Sequence, residues 1–228
     1  MRVANATVES RPWRIHEIAP DFTVEDVWAL PADGGADEFP SLLEVMRSLD
    51  LTASSSLAAR VLWGVRDLLG RWFDLGRVAA PGDGRGAPPV GEPRALGPHE
   101  SSLVDRLPDD LRHSAAGMGS GSTPFAPLYL TGDEYAAEVS NRTVHGVMHL
   151  AWVDTGEGRH QGQMAVFVKP RGLFGRAYMA FIRPFRHLVV YPALMRQIER
   201  AWSRRDAPAS LPSSTTGAPD DVGAAPSS

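Results

Sequence analysis

The apolar positions along this chain change period twice. In the first half they fall mainly at helical spacing. "FPSLLEVMRSL" puts Leu42, Val45, Met46 and Leu49 on one helical face. "SLAARVLWGVRDLLGRWF" does the same with Leu57, Val61, Val65, Leu68, Leu69 and Trp72. "TVEDVWAL" reads as the start of a helix, with Thr23 as N-cap and Asp26 three residues on. "WRIHEI" alternates and reads as a short strand, and "SLVDRLPDDLR" as a weak helical segment broken at Pro108. The period then shortens. "PLYLT", "EYAAEVS", "TVHGVMHLAWV" and "QGQMAVFVK" are strand-like runs, separated by Gly132-Asp133, Asn141-Arg142 and "DTGEG". These predict an antiparallel meander.

After residue 172 the helical period returns and lasts to about residue 204. Phe181, Leu188, Met195 and Trp202 recur at seven-residue intervals, and Tyr178, Phe185, Val189 and Ile198 widen that stripe. Pro184 and Pro192 lie inside it and should kink or split the helix. Three stretches are too rich in Gly, Pro or Ser to bury much apolar surface: the loop 76–100, the linker 115–122 and the tail 206–228. The glycines at 82, 84 and 86 and at 117, 119 and 121 follow no strand and open no helix, so they read as linker rather than a nucleotide fingerprint. The expected layout is a flexible N-terminus over 1–10, one domain over 11–205 and a disordered tail over 206–228.

Composition narrows the function classes. The chain has 228 residues, which suits one good-sized core. A net charge of −4 gives no pull toward nucleic acid. The absence of cysteine removes disulfides, thiolate nucleophiles and Cys-based zinc sites, and suits a reducing cytoplasm, the expected location. No signal-like apolar segment opens the sequence and no run of about 18 apolar residues occurs, so no transmembrane helix is expected.

Small helices, a meander and a long final helix form the order of an α+β helix-grip fold, a curved antiparallel sheet wrapped around its C-terminal helix. The stretch Met164 to Trp202 carries a resemblance. It contains a strand ending in Lys169-Pro170-Arg171-Gly172-Leu173, then Gly175-Arg176-Ala177-Tyr178, then Pro184-Phe185-Arg186-His187. With "RPWRIHEI", "VWALP", "PFAPLYLTGDEYAAE" and "NRTVHGVMHLAWV", it resembles the domain of unknown function 2867 family, which is similar to the START-like, or SRPBCC, ligand-binding superfamily. The likeness covers most of residues 11 to 204. It implies a helix-grip fold with a cavity for a hydrophobic or amphipathic small molecule, and no particular reaction. Some relatives follow a nucleotide-binding reductase domain; this sequence holds none, so NAD(P)-dependent activity is not implied and no cofactor is expected.

His145 and His149 are four residues apart in "TVHGVMHLAW". On a helix they could share a zinc ion. On a strand they are separated by about 13 Å. Gly146 disfavours helix, and Thr143, Val144, Val147, Trp152 and Val153 favour strand. As a strand, Val144, Gly146, Met148, Leu150 and Trp152 share one face and His145, Val147, His149 and Ala151 the other. The simplest register sets the first face beside Met164, Val166 and Val168, under the long helix. The histidines, with Gln161, Gln163 and Lys169, then form a solvated outer face, or alternatively line the cavity as proton carriers.

The expected ligand contacts are thus Met148, Leu150, Trp152, Met164, Val166, Tyr178, Phe181 and Phe185, with His145, His149 and Tyr178 as catalytic candidates. Arg176, Arg183 and His187 recur along one helical side, as a solvated stripe or a site for an anionic head group or membrane surface. Asp109-Asp110 and Asp133-Glu134 read as cap and turn carboxylates, and Ser54 to Ser56 as an N-cap. Three functions compete: a small-molecule binding module, a cyclase or dehydratase using pocket His or Tyr as proton donors, and a protein that binds a membrane or partner through its C-terminal helix.

Overall fold

The computed structural model describes residues 1–49, 101–116, 118, 125–140 and 144–205. The apolar helix expected around residues 56–73, the Gly/Pro loop, the serines 54–56 and the tail lie outside them. Five strands form one antiparallel sheet: β1 (Thr23–Gly34), β2 (Ala126–Leu130), β3 (Glu134–Ser140), β4 (Val144–Gly156) and β5 (Arg159–Pro170), in the order β1-β5-β4-β3-β2. The sheet is curved and packs on a long C-terminal helix, so the chain has a helix-grip α+β fold. That helix runs as α4 (Gly172–Phe185), a π-helical turn (Arg186–Val190) and α5 (Tyr191–Arg205). Ahead of it come α1 (Ala6–Glu9), α2 (Ile15–Ile18) and α3 (Phe39–Ser48), and a 3-10 turn at Leu103–Arg106.

The meander follows from the alternating runs and their turns. β4 pairs with β5 so that Gly146, Met148 and Leu150 face Val168, Val166 and Met164. This is the register expected from matching the two apolar faces. Leu150, Trp152 and Met164 pack under α5 with Tyr191, Ile198 and Trp202, and α3 closes the same core with Phe39, Leu42 and Leu43. The Trp152 indole donates to the Gly35 carbonyl at 2.8 Å. Gly162 stands opposite Trp152, and a methyl there would come within 2.9 Å of Leu42 Cδ2 and 3.3 Å of Leu30 Cβ. Gly162→Ala is therefore expected to destabilise the fold by about 1–3 kcal/mol, read as a lower denaturation midpoint in urea.

Two local expectations are reversed. "TVEDVWAL" is not a helix but β1, and the Thr23 hydroxyl donates to the Val168 carbonyl instead of capping. A β-bulge at Glu25 explains the misreading: it breaks the register between Val24 and Asp26. Val24 and Val27 then share a face while three apart, which imitates helical spacing. "WRIHEI" contains α2, with Ile15 and Ile18 buried on one side of a single turn. Residues 1–10 are held along β1, where Val3 N–H donates to the Val27 carbonyl at 2.9 Å and Val8 of α1 is buried.

The face of the sheet away from the helix is also not the solvated surface expected from its histidines and glutamines. Trp13, Ile15, Ile18 and Phe22 from the N-terminal segment, with Leu103, Leu107 and Leu111, cover Val147, Ala151, Ala165 and Phe167. The described fold therefore has three layers: C-terminal helix, sheet, and a thin lid of short helices and turns.

Candidate functional site

β1 is an edge strand whose helix-facing positions read Asp26, Trp28, Leu30. The last two are apolar, as a core face requires; the first is a carboxylate with 0% exposure. A buried carboxylate needs donors. They come from the π-turn. Pro192 offers no N–H to the Leu188 carbonyl four residues back, and Pro184 interrupts the ladder about two turns earlier. Widening the turn between these prolines re-spaces the side chains, a geometry frequent at functional sites. The turn directs Arg186 and His187 at β1.

The resulting cluster is compact. His187 Nε2–H donates to Asp26 Oδ1 at 2.6 Å, the Tyr191 hydroxyl to Oδ2 at 3.0 Å, and Arg186 lies 3.2 Å from Oδ2. The same guanidinium donates to Glu25 at 2.6 Å. Trp28 lies against His187 and Tyr191, with centroids 6.0 Å and 4.8 Å away. Burial, and then the Asp26 charge, push the Tyr191 phenol well above the ordinary tyrosine range, so it stays a donor. With Nε2–H committed to Asp26, a neutral His187 ring keeps Nδ1 as its basic atom. Two further donors in the cluster, Trp28 Nε1–H and Arg186 Nε–H, are buried with no acceptor. Such groups are rare in folded proteins.

A second set of buried charges lies on the opposite face. His145 donates to Glu138, which also accepts from the Ser102 hydroxyl and the Leu103 N–H. His149 donates to Glu134 at 3.0 Å; the Tyr129 hydroxyl donates to the same carboxylate at 2.9 Å and the Arg14 N–H at 3.1 Å. Both histidines are 1% exposed, with Phe22 against one ring and Trp13 against the other. They do lie on a strand, and each has its own carboxylate. Glu134, expected as a turn carboxylate, is buried. Burial alone would raise its pKa, but the bond from His149, then the Arg14 N–H, hold it below the ordinary value. These pairs tie the covering layer to the sheet. Among the described residues no three His, Cys, Asp or Glu side chains are gathered as a metal ion would require.

Of the expected ligand contacts, Met148, Leu150, Trp152, Met164 and Val166 face the helix. Tyr178 packs with Val144, Val168 and Met179. Phe185 is half-buried, and Phe181 is 62% exposed. The seven-residue stripe thus does not stay on one face: Phe181 and Leu188 look outward while Trp202 is buried. A seven-residue repeat drifts around a straight helix, and the π-turn adds to the drift. His145, His149 and Tyr178 are not brought together. Sequence reasoning missed Asp26, Trp28, Arg186 and Tyr191. A usable signal was present: from Gly158 to Ile198 there is no Asp or Glu, so Arg186 and His187 could find a carboxylate only on a distant segment.

A separate groove of about 320 Å³ between α3 and α5 is lined by Ser41, Glu44, Val45, Ser48, Ala201 and Arg204 among others, with Glu44 and Arg204 exposed. It gathers no buried polar cluster. Compared with known proteins, the model of the family described as "Protein of unknown function (DUF2867)" matches residues 18–193. No curated protein and no solved structure matches the chain.

Proposed function

This chain belongs to the DUF2867 family, and we propose that it is a START-like binding module that holds a small amphipathic molecule between sheet and C-terminal helix. The polar end of the guest is taken up at the Asp26–His187 cluster. The observation that carries this reading is a pair of buried N–H donors, Trp28 Nε1 and Arg186 Nε, left without acceptors beside a carboxylate already bonded by His187 and Tyr191 and ion-paired with Arg186. They suit a guest whose polar end is an acceptor, such as a carbonyl or carboxylate. Its apolar body would lie against Met148, Val166 and Tyr178, which are only partly buried on the helix-facing side.

Native mass spectrometry with a panel of medium-chain fatty acids and aromatic ketones tests it. The expected result is one guest per chain, with affinity about tenfold lower in Trp28→Phe, which removes the N–H and keeps an aromatic ring. No adduct with any member of the panel, or equal affinity in Trp28→Phe, overturns the reading.

A second reading is proton-transfer chemistry of the cyclase or dehydratase type. It is favoured by the Asp26–His187 hydrogen bond, since a carboxylate that orients an imidazole is the usual support of a general base. In that case His187 is the proton carrier rather than His145 or His149. His187→Gln would then abolish turnover of a bound guest while leaving its binding within a few-fold.

A further inference from the structure

The outward side of α4 and the π-turn is apolar, and the ligand reading does not use it. Leu173 is 80% exposed, Phe181 62% and Leu188 77%. At 100° per residue, Leu173 and Phe181 lie about 80° apart on the helix surface. Leu188 follows one further heptad on, and Ala177 and Pro184 between them are exposed as well. Solvent-facing large side chains scattered singly are ordinary, but several on one strip of one helix mark a contact surface.

The charge beside this strip identifies the partner. Arg176 and Arg183, also seven residues apart, flank it and are exposed. Neither takes part in an ion pair among the described residues. The other cations nearby are engaged: Arg186 with Glu25 and Lys169 with Asp21. No acidic residue occurs from Gly158 to Ile198, although the chain as a whole carries −4. An apolar strip bordered by unpaired arginines and free of carboxylates is the pattern of a helix lying in the head-group region of a bilayer. Its side chains reach the acyl boundary while guanidinium groups meet lipid phosphates. No described helix is long and apolar enough to cross a membrane, so the contact is peripheral.

We propose that this face, Leu173, Phe181 and Leu188 with Arg176 and Arg183, docks the protein on an anionic lipid surface. The inference is independent of what the interior binds, because none of these five side chains belongs to the Asp26 cluster. Co-sedimentation of the full chain with vesicles tests it. Vesicles of phosphatidylcholine with one third phosphatidylserine should bind about tenfold more protein than phosphatidylcholine alone, two arginines near the surface supplying the difference. Raising salt to about 0.5 M should remove most of that gain. Phe181→Ser with Leu188→Ser should lose binding to both vesicle types. Arg176→Gln with Arg183→Gln should lose only the preference for anionic lipid. All four positions are exposed, and an unchanged denaturation midpoint confirms that the variants fold.

Two results would overturn the proposal. One is no sedimentation with anionic vesicles. The other is a wild-type dimer in sedimentation equilibrium that Phe181→Ser with Leu188→Ser dissociates, which would assign the strip to a second copy of the chain.

Discussion

Asp26→Ala is expected to destabilise the protein by about 3–5 kcal/mol, the range for removing one partner of a buried ion pair. The carboxylate is fully buried, accepts from His187 and Tyr191 and is ion-paired with Arg186. Alanine would leave three donors facing each other in a site with little water, one of them permanently charged. Arg186 retains Glu25, which is why the loss should stay within this range. Asp26→Asn keeps the shape and an acceptor oxygen, so it should cost less than alanine. Urea denaturation at pH 7 measures both. A loss below about 1 kcal/mol for Asp26→Ala would mean that the cluster contributes little to docking the helix. The reading of Asp26 as an organising charge would then fail. A triple replacement of Asp26, Arg186 and His187 by leucine should recover much of the stability, because well-packed apolar groups often replace buried ions at no net cost. Guest binding should not recover with it. That split separates a role in holding the fold from a role in holding a ligand.

The second large effect is expected on the other face of the sheet. Glu134→Ala should cost about 3–5 kcal/mol at pH 7, since it strands the buried His149 and Tyr129 and frees the Arg14 N–H that anchors the N-terminal segment. The same carboxylate should contribute to the acid limb of stability. Its folded-state pKa lies below the ordinary 4.5. The unfolded chain therefore takes up a proton at higher pH than the folded one, and acid favours unfolding. The stabilisation is fully present above about pH 4.5 and is lost as pH falls from there through the lower folded value. Glu134→Gln should lower stability at pH 7 and flatten its decline between about pH 5 and 2. Some slope should remain. The Arg106 guanidinium, opposed in part by burial and aided by Lys169, also holds Asp21 below the carboxylate range, but that group is partly exposed and its share is screened by water. Urea midpoints across this range measure the effect. An unchanged acid limb in Glu134→Gln would show that the buried pair is not what ties the N-terminal layer to the sheet.

Most of the architecture was legible in the pattern of residues, and the failures have identifiable causes. The strands β2 to β5 followed from alternation, and so did the register of β4 on β5, because a one-residue slip would turn Met148, Leu150 and Trp152 away from the helix. The break in the long helix followed from Pro184 and Pro192. β1 was misread because the bulge at Glu25 disturbs its period. The Phe181–Trp202 stripe was misread as one face because helix geometry and the π-turn rotate it by more than its spacing suggests. The candidate site was the least legible part. Asp26 and His187 are 161 residues apart, and nothing local in either segment announces the other.

The sequence by itself determined the meander and the broken helix that follows it, the apolar faces of β4 and β5 and the strand character of the two-histidine segment. These depend on local periodicity, turn chemistry and backbone preference, which a single segment carries. Only the tertiary structure decided which charges are buried and with whom. It covered the histidine face with a layer of short N-terminal turns, turned an expected surface glutamate into an interior partner, and set Asp26 under the π-turn. Burial and pairing are properties of two segments meeting. The free energy of a charge depends on the donors and the dielectric that the second segment brings, and that information is in neither segment alone.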